Sequence, residues 1–149
     1  MASHVNRVRI KQMMKPVFFY GLFMDEGLLR EKGLHPSATK IASLVGYGLR
    51  IGERATLIQS NQEQTYGTVI QLSEAELGTL YDDKSVGDYR PEAVTVTDNN
   101  GSTLAAVSYI LPFEKLTGQN REYAKSLAVI ARRAGLPEEY VAEIETWSI

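Results

Sequence analysis

The fold is decided by residues 17–29, which read VFFYGLFMDEGLL. The first four residues of this stretch form a short apolar run of aromatic and β-branched side chains, which predicts a buried strand. Gly21 interrupts the run, and Asp25 and Glu26 then place negative charge where the first turn of a helix favours it. A strand, a glycine turn and a helix start direct backbone N–H groups towards one point, which can hold a carboxylate or an oxyanion. The residues alone leave open the simpler interpretation of a strand and its exit turn.

The composition narrows the class of protein. A chain of 149 residues fits one domain with a core of its own. The formal net charge of -2 gives no sign of a nucleic-acid or membrane partner. The absence of cysteine excludes disulfides, thiolate metal sites and a cysteine nucleophile. No apolar run approaches the ~20 residues of a membrane span, and the N-terminus lacks the apolar core of a secretory signal. We therefore expect a soluble, cytoplasmic protein.

Hydrophobic periodicity predicts an α+β fold. Short apolar or alternating segments predict strands at residues 17–20, 40–49, 55–59, 66–72, 89–97 and 103–111. Between the third and fourth of these, the polar residues 61–64 predict a hairpin loop. Helices are predicted at residues 25–32, at 73–81 behind a capping box, and in two segments after Pro112. The result is a mostly antiparallel sheet flanked by helices.

The N-terminal residues differ in character from the rest of the chain. Residues 1–15 contain Arg7, Arg9, Lys11 and Lys15 and no acidic residue. We expect residues 1–15 to form a flexible basic tail and residues 16–149 to form a single domain.

Few residues in the chain are suited to catalysis or to metal binding. Only two histidines occur, His4 in the tail and His35 beside a proline, which argues against a histidine metal site or a Ser-His-Asp site. The glycines do not match a phosphate-binding motif. The remaining candidate is the charged loop of Asp82, Asp83 and Lys84. Its composition favours a solvent-exposed connecting loop over a catalytic loop.

Taken in order, several short segments resemble one known family. They read FFYGLFM at residues 18–24, VGYGLR at 45–50, YGTVIQL at 66–72 and GLPEEY at 135–140. Residues 80–96 correspond to the segment that carries the family's catalytic acid. The chain from Val17 onwards thus resembles the gamma-glutamylcyclotransferase-like superfamily, which includes gamma-glutamylamine cyclotransferases and plant avirulence-induced-gene-like proteins.

The resemblance implies a small mixed, mostly antiparallel β-barrel flanked by helices. It also implies a reaction without cofactor or metal, in which the α-amine of a γ-glutamyl amine or amino acid attacks its γ-amide. The products are 5-oxoproline and the released amine. Such a reaction needs a carboxylate as acid and base, backbone N–H groups for the oxyanion, and a pocket that bends the substrate. The implied protein is a monomer or homodimer whose partner is a small γ-glutamyl compound.

The resemblance also assigns the site residues. The substrate-binding residues would be Tyr20, Gly21, Leu22, Phe23, Lys84 and Tyr89. Leu22 stands where the family has serine. The family's catalytic glutamate falls on Lys84 when counted forward from Leu80, and on Asp83 when counted back from Tyr89.

Two functions follow from these departures. Asp83 can serve as the acid and base of a divergent cyclotransferase, although its side chain is one methylene shorter than glutamate. The alternative is a catalytically impaired member that binds a small anionic or γ-glutamyl-type ligand, with Lys84 on the ligand's carboxylate.

Overall fold

The structure is a computed structural model that describes residues 14–149. In this part of the chain the strands are β1 (Met14–Phe19), β2 (Ser37–Ile51), β3 (Ala55–Ser73), β4 (Arg90–Asp98) and β5 (Thr103–Ile110). The helices are α1 (Glu26–Glu31), α2 (Glu74–Tyr81), α3 (Arg121–Ala134) and α4 (Glu138–Thr146). Short 3-10 turns occupy Leu22–Met24 and Phe113–Lys115. None of the helices in residues 14–149 is long and apolar enough to cross a membrane.

The strands form a closed barrel in the order β1-β3-β2-β4-β5. Every neighbouring pair is antiparallel except β1 and β5, which run parallel and pair at Val17 and Val107. Closure leaves no long unpaired edge to attract another chain. The predicted α+β class and the mostly antiparallel barrel flanked by helices are confirmed.

The first strand begins before the expected domain boundary. Met14 and Lys15 belong to β1 and pair with Ser73 and Leu72 of β3, whereas the sequence placed the start of the domain at Pro16. The Lys15 ammonium also lies 2.8 Å from the carboxylate of Glu74. The remainder of the predicted tail, residues 1–13, lies outside the described residues.

The hairpin loop predicted at residues 61–64 is wrong. β3 continues through these residues, and the turn between β2 and β3 is formed by residues 52–54 instead. Val45 pairs with Gln64 and Tyr47 with Gln59, so the intervening residues of β3 bulge opposite Gly46, which has a φ of 90°. The polar run therefore marks a solvent-facing bulge rather than a turn.

Local signals in the sequence set the helix ends. The Ser73 side chain accepts from the Glu76 N–H while Glu76 reaches back to the Ser73 N–H, which confirms the predicted capping box. Gly135 ends α3 with a φ of 90°, a conformation in which a side chain would be strained. After Gly135 the chain turns and begins α4. Both helices cover one side of the barrel, where Tyr140 packs edge-on against Tyr66.

β1 is the central strand of the core. Val17 and Phe18 are almost fully buried between β3 and β5. Because the strand ends inside the barrel wall, the residues that follow it, 20–23, emerge at the barrel end beneath the first turn of α3. This geometry positions the candidate site.

Candidate functional site

A cavity of about 310 Å³ lies where β1 leaves the barrel. Residues 18–23 form one side, and Tyr81 at the end of α2 contributes to another. Ser85 and Val86 of the following loop also line the cavity, as do residues of α1, the β2–β3 turn, β5 and α3. The cavity therefore forms over the turn that the sequence proposed as an anion cradle.

The structure brings together most, but not all, of the predicted site residues. Those that line the cavity are Tyr20, Gly21, Leu22, Phe23 and Tyr89. Asp83 and Lys84 lie on the adjoining loop, are exposed, and do not line the cavity.

Asp83 faces its own loop. Its Oδ1 accepts hydrogen bonds from the Ser85 backbone N–H at 2.9 Å and from the Ser85 hydroxyl at 2.7 Å. These two donors favour the ionised carboxyl and lower the pKa of Asp83. Lys32, which lines the cavity, lies near enough to lower it further. Asp83 is therefore ionised at neutral pH and sits two residues from the cavity wall.

A carboxylate is missing from the cavity wall. No aspartate or glutamate within residues 14–149 lines the cavity, and the sequence of residues 1–13 contains none. The same described residues include no group of three or more His, Cys, Asp or Glu that could hold a metal ion.

Two further carboxylates near the loop, Asp88 and Glu92, have partners of their own. Arg54 binds Asp88 with both guanidinium nitrogens, at 2.7 and 3.0 Å, and lowers the pKa of Asp88. Arg54 also donates to the Ser85 carbonyl at 3.0 Å, so one side chain fastens the loop to the β2–β3 turn. Glu92, on β4, accepts from the Tyr47 hydroxyl at 2.9 Å.

Tyrosines dominate the lining. Five of the eight tyrosines in the chain line this cavity: Tyr20, Tyr81, Tyr89, Tyr109 and Tyr123. Tyr20 donates to the Tyr109 carbonyl at 2.7 Å, and Tyr89 donates to the Ala55 carbonyl at 2.6 Å. Burial raises the pKa of Tyr20, Tyr81 and Tyr89 well above the ordinary tyrosine value, so their hydroxyls stay protonated at neutral pH. Tyr81 also stacks on Tyr109, with ring centroids 3.8 Å apart.

Tyr123 lies directly over the glycine turn. A Cβ added to Gly21 would meet the Tyr123 hydroxyl at 2.9 Å, so the glycine permits this close approach. Burial raises the pKa of Tyr123 to about 12, and the nearby backbone N–H groups of Leu22 and Ala55 partly oppose that rise. Asn120 fixes the start of α3 by accepting from the Tyr123 N–H at 2.9 Å. The Leu22 N–H thus lies close to the Tyr123 hydroxyl oxygen at the cavity wall.

The charge at the cavity is positive. Lys32 lies over the Phe23 ring with its ammonium 6.0 Å from the ring centroid, and it forms no salt bridge within residues 14–149. Arg54 stacks over the Tyr89 ring at 5.5 Å. Protonated hydroxyls, a backbone N–H and an unpaired ammonium suit a ligand with carboxylate or carbonyl oxygens, while the aromatic rings suit an apolar part.

Sequence reasoning did not identify Tyr81, Tyr109, Tyr123, Lys32 and Arg54 as site residues. The sequence pattern places Tyr81 at the end of the helix predicted at residues 73–81 and Tyr123 in the helical region predicted after Pro112. The available signal was the number of tyrosines, because tyrosine hydroxyls need a polar neighbour or water when they are buried. Their convergence depends on barrel closure, which no local pattern specifies.

Comparison with known proteins places the chain in a family. A sequence profile of the AIG2-like family matches residues 64–144, more than half of the chain. Gamma-glutamylcyclotransferase of Bos taurus is 27% identical over 97 residues, which cover 64% of this chain and 52% of that protein. The matched region thus spans about half the length of that relative.

Solved structures share the fold. A gamma-glutamyl cyclotransferase structure superposes with a TM-score of 0.73 at 21% identity, covering 89% of this chain and 86% of that one. YkqA from Bacillus subtilis gives a TM-score of 0.75 at 19% identity, covering 97% of this chain and 58% of that one. At such identities the likeness shows the fold alone. Together with the family profile it confirms the resemblance seen in the sequence: the chain belongs to the AIG2-like family and is a divergent member of the gamma-glutamylcyclotransferase-like superfamily.

Proposed function

We propose that the protein binds a small γ-glutamyl-type ligand in the tyrosine-lined cavity and does not turn it over efficiently. The observation that carries this proposal is a wall rich in donors and lacking a carboxylate among residues 14–149. Cyclisation needs a group that takes a proton from the substrate ammonium and later gives one to the leaving nitrogen. Tyrosines whose pKa values are raised by burial are poor bases at neutral pH.

Binding has a direct physical basis. The carboxylate of a γ-glutamyl group would meet the Tyr123 hydroxyl and the Lys32 ammonium, both of which favour negative charge. The aromatic side chains would cover the aliphatic part of the ligand. Lys84 was predicted as the carboxylate partner, but Lys32 is the lysine on the wall, so we assign the larger contribution to Lys32.

A second candidate is the cyclotransferase reaction itself, with Asp83 as acid and base. It is favoured by the position of Asp83, which is exposed, ionised and two residues from Ser85 on the cavity wall. In this reaction the α-amine nitrogen bonds to the γ-carbonyl carbon and the amide C–N bond breaks. The amine proton passes through the carboxylate to the leaving nitrogen, which yields 5-oxoproline and a free amine.

One experiment separates the two candidates. Purified protein is incubated with a panel of γ-glutamyl amines and γ-glutamyl amino acids. Binding is followed by calorimetry, and 5-oxoproline is followed by mass spectrometry. Saturable binding without 5-oxoproline supports the binding function. Enzymatic 5-oxoproline that disappears in Asp83→Asn but persists in Asp82→Asn, the adjacent exposed carboxylate, supports the cyclotransferase.

Two lysine variants test the assignment of the carboxylate partner. Lys32→Ala should weaken binding about tenfold, the equivalent of ~1.4 kcal/mol, while Lys84→Ala should leave it unchanged. The reverse order would restore Lys84 as the ligand-binding lysine. No binding and no product from any γ-glutamyl compound would refute both candidates.

A further inference from the structure

The β2–β3 turn is packed against the segment that leads into α3. The Glu53 N–H donates to the Thr117 carbonyl at 2.7 Å. A Cβ added to Gly52 would lie 2.6 Å from the same carbonyl, so the two backbones are in close contact. The Gly52 N–H donates to the Arg54 carbonyl at 2.8 Å, which holds the turn itself in shape. The turn is thus a fixed support for the start of α3.

Asn120 joins this turn to α3 with both ends of its side-chain amide. Its Nδ2 donates to the Glu53 carbonyl at 3.3 Å, and its Oδ1 accepts from the Tyr123 N–H at 2.9 Å. The two partners fix the orientation of the amide, because a carbonyl can only accept and a backbone N–H can only donate. One side chain therefore connects the β2–β3 turn to the helical residue whose hydroxyl lies over Gly21.

Capping alone does not require the amide nitrogen of Asn120. A helix cap needs an oxygen that accepts from the first turn, and aspartate or serine supplies one as well as asparagine does. Asp25 caps α1 and Ser73 caps α2 in this way. The Nδ2 bond of Asn120 is additional to the cap, and its partner is a turn of the barrel rather than a group of the helix.

The same turn also holds a second tyrosine of the cavity wall. Arg54 fastens the loop that precedes Tyr89, and the Tyr89 hydroxyl donates to the carbonyl of Ala55 at 2.6 Å. The Ala55 N–H lies close to the Tyr123 hydroxyl oxygen. Residues 53–55 therefore contact the loop tyrosine and the α3 tyrosine, and their positions relative to each other depend on this turn.

We infer that Asn120 is a positioning residue for the tyrosine-lined cavity. Its Nδ2 bond to Glu53 holds the first turn of α3 against the β2–β3 turn, and this sets the place of the Tyr123 hydroxyl over Gly21. Asn120 does not itself line the cavity, so it acts on a ligand only through Tyr123. The inference rests on the proposed function where it concerns ligand binding, but it also predicts a change in the ligand-free protein.

The ligand-free test is an NMR spectrum of the ¹⁵N-labelled full chain carrying Asn120→Asp. Aspartate keeps the capping oxygen and the size of the side chain but cannot donate to the Glu53 carbonyl. The amide signals of Gly21 and Leu22 should shift because Tyr123 moves over them, while the melting temperature stays within about 2 °C of the wild type. Gln119→Glu, which adds the same charge at an exposed neighbour, should leave both signals in place. Shifts confined to residues 119–124 would overturn the inference.

Binding of γ-L-glutamyl-L-alanine, measured by calorimetry, tests the connection to function. Asn120→Asp should weaken binding about tenfold, as should Tyr123→Phe, which removes the hydroxyl. The double variant should bind no more weakly than Tyr123→Phe alone, since two residues that act through one group are not additive. Asn120→Ser, an uncharged cap without a group that reaches Glu53, should behave as Asn120→Asp does.

The outcomes separate this inference from the proposed function. An unchanged affinity in Asn120→Asp, or a loss that adds to the loss in Tyr123→Phe, would show that Asn120 is a helix cap only. If the wild type binds no γ-glutamyl compound, the proposed function fails and the spectra of the free protein decide the inference. Shifts at Gly21 and Leu22 then support it, and their absence refutes it.

Discussion

Replacing Gly67 by alanine tests the packing that places the turn of residues 20–23 at the cavity. Gly67 lies in β3, between β1 and β2, and its neighbour Thr68 pairs with Phe19. A Cβ added to Gly67 would overlap the carbonyl oxygen of Phe19 and come within 2.9 Å of the Phe18 ring. The carbonyl is backbone in a paired strand, and Phe18 is 1% exposed, so neither neighbour can move without disturbing the barrel.

The magnitude follows from that geometry. Overpacking a well-packed site costs about 1–3 kcal/mol, and an obstacle made of backbone places this variant at the upper end. Since each kcal/mol shifts the melting temperature of a chain of this size by about 2–4 °C, we expect Gly67→Ala to lower it by about 6–12 °C. Gly78→Ala is the matched control, because nothing lies within 4 Å of an added Cβ there. In the interior of α2 it should stabilise the protein by about 0.5–1 kcal/mol.

Thermal unfolding followed by circular dichroism measures both variants. Denaturant unfolding at 25 °C gives the free energies directly, provided that the slopes agree with that of the wild type. A Gly67→Ala melting temperature equal to that of the wild type would refute the reasoning, since it would mean that β1 and β3 are not packed as closely as described. Equal destabilisation by Gly78→Ala would show that the loss of glycine itself, rather than the clash, is responsible.

Three further predictions follow from single contacts. Because Arg54 lowers the pKa of Asp88, the ion pair stabilises the fold at neutral pH, and this is lost as the pH falls through the lowered pKa. Asp88→Asn should therefore cost about 1 kcal/mol at pH 7 and progressively less as the pH falls through the lowered pKa of Asp88. A difference in stability between variant and wild type that grows towards acid pH would contradict the pairing. Ser73→Ala should cost about 0.5–2 kcal/mol in chemical unfolding through loss of the capping box. Ser85→Glu places a carboxylate on the cavity wall and should raise 5-oxoproline formation on the order of 100-fold, measured by mass spectrometry. Lys84→Glu, off the wall, should not.

Much of the fold was predictable because it depends on local rules. The buried strand before Gly21, the capping box at Ser73 and the glycine stop at Gly135 each follow from nearest neighbours in the chain. The polar residues 61–64 led to a wrong prediction of a hairpin loop, because their polarity reflects solvent exposure on a bulge. Whether a bulge forms depends on the partner strand. Barrel closure by the parallel contact of β1 and β5 is equally non-local.

Only the part of the candidate site that is continuous in the sequence could be predicted. Residues 20–23 act together because the chain itself holds them in one turn. The position of Asp83 could not be read from spacing, since it depends on two hydrogen bonds from Ser85 within a short loop. The position of Tyr123 over Gly21 depends on where α3 crosses the end of β1, which the helical pattern after Pro112 does not encode.

The carboxylates around the loop differ in how readily they can be recruited for chemistry. Asp88 is held by the guanidinium that also binds the Ser85 carbonyl, so releasing it would detach the loop from the β2–β3 turn. Glu92 belongs to β4, where it pairs with Ser108 of β5, so its backbone is fixed by the barrel. Asp83 is held only by groups of Ser85 on its own exposed loop, and a change of side-chain rotamers at these two residues would free it. Arg54 keeps the loop backbone in place during such a change. Recruitment of Asp83 for acid–base chemistry in this cavity therefore requires a rearrangement of residues 83–85.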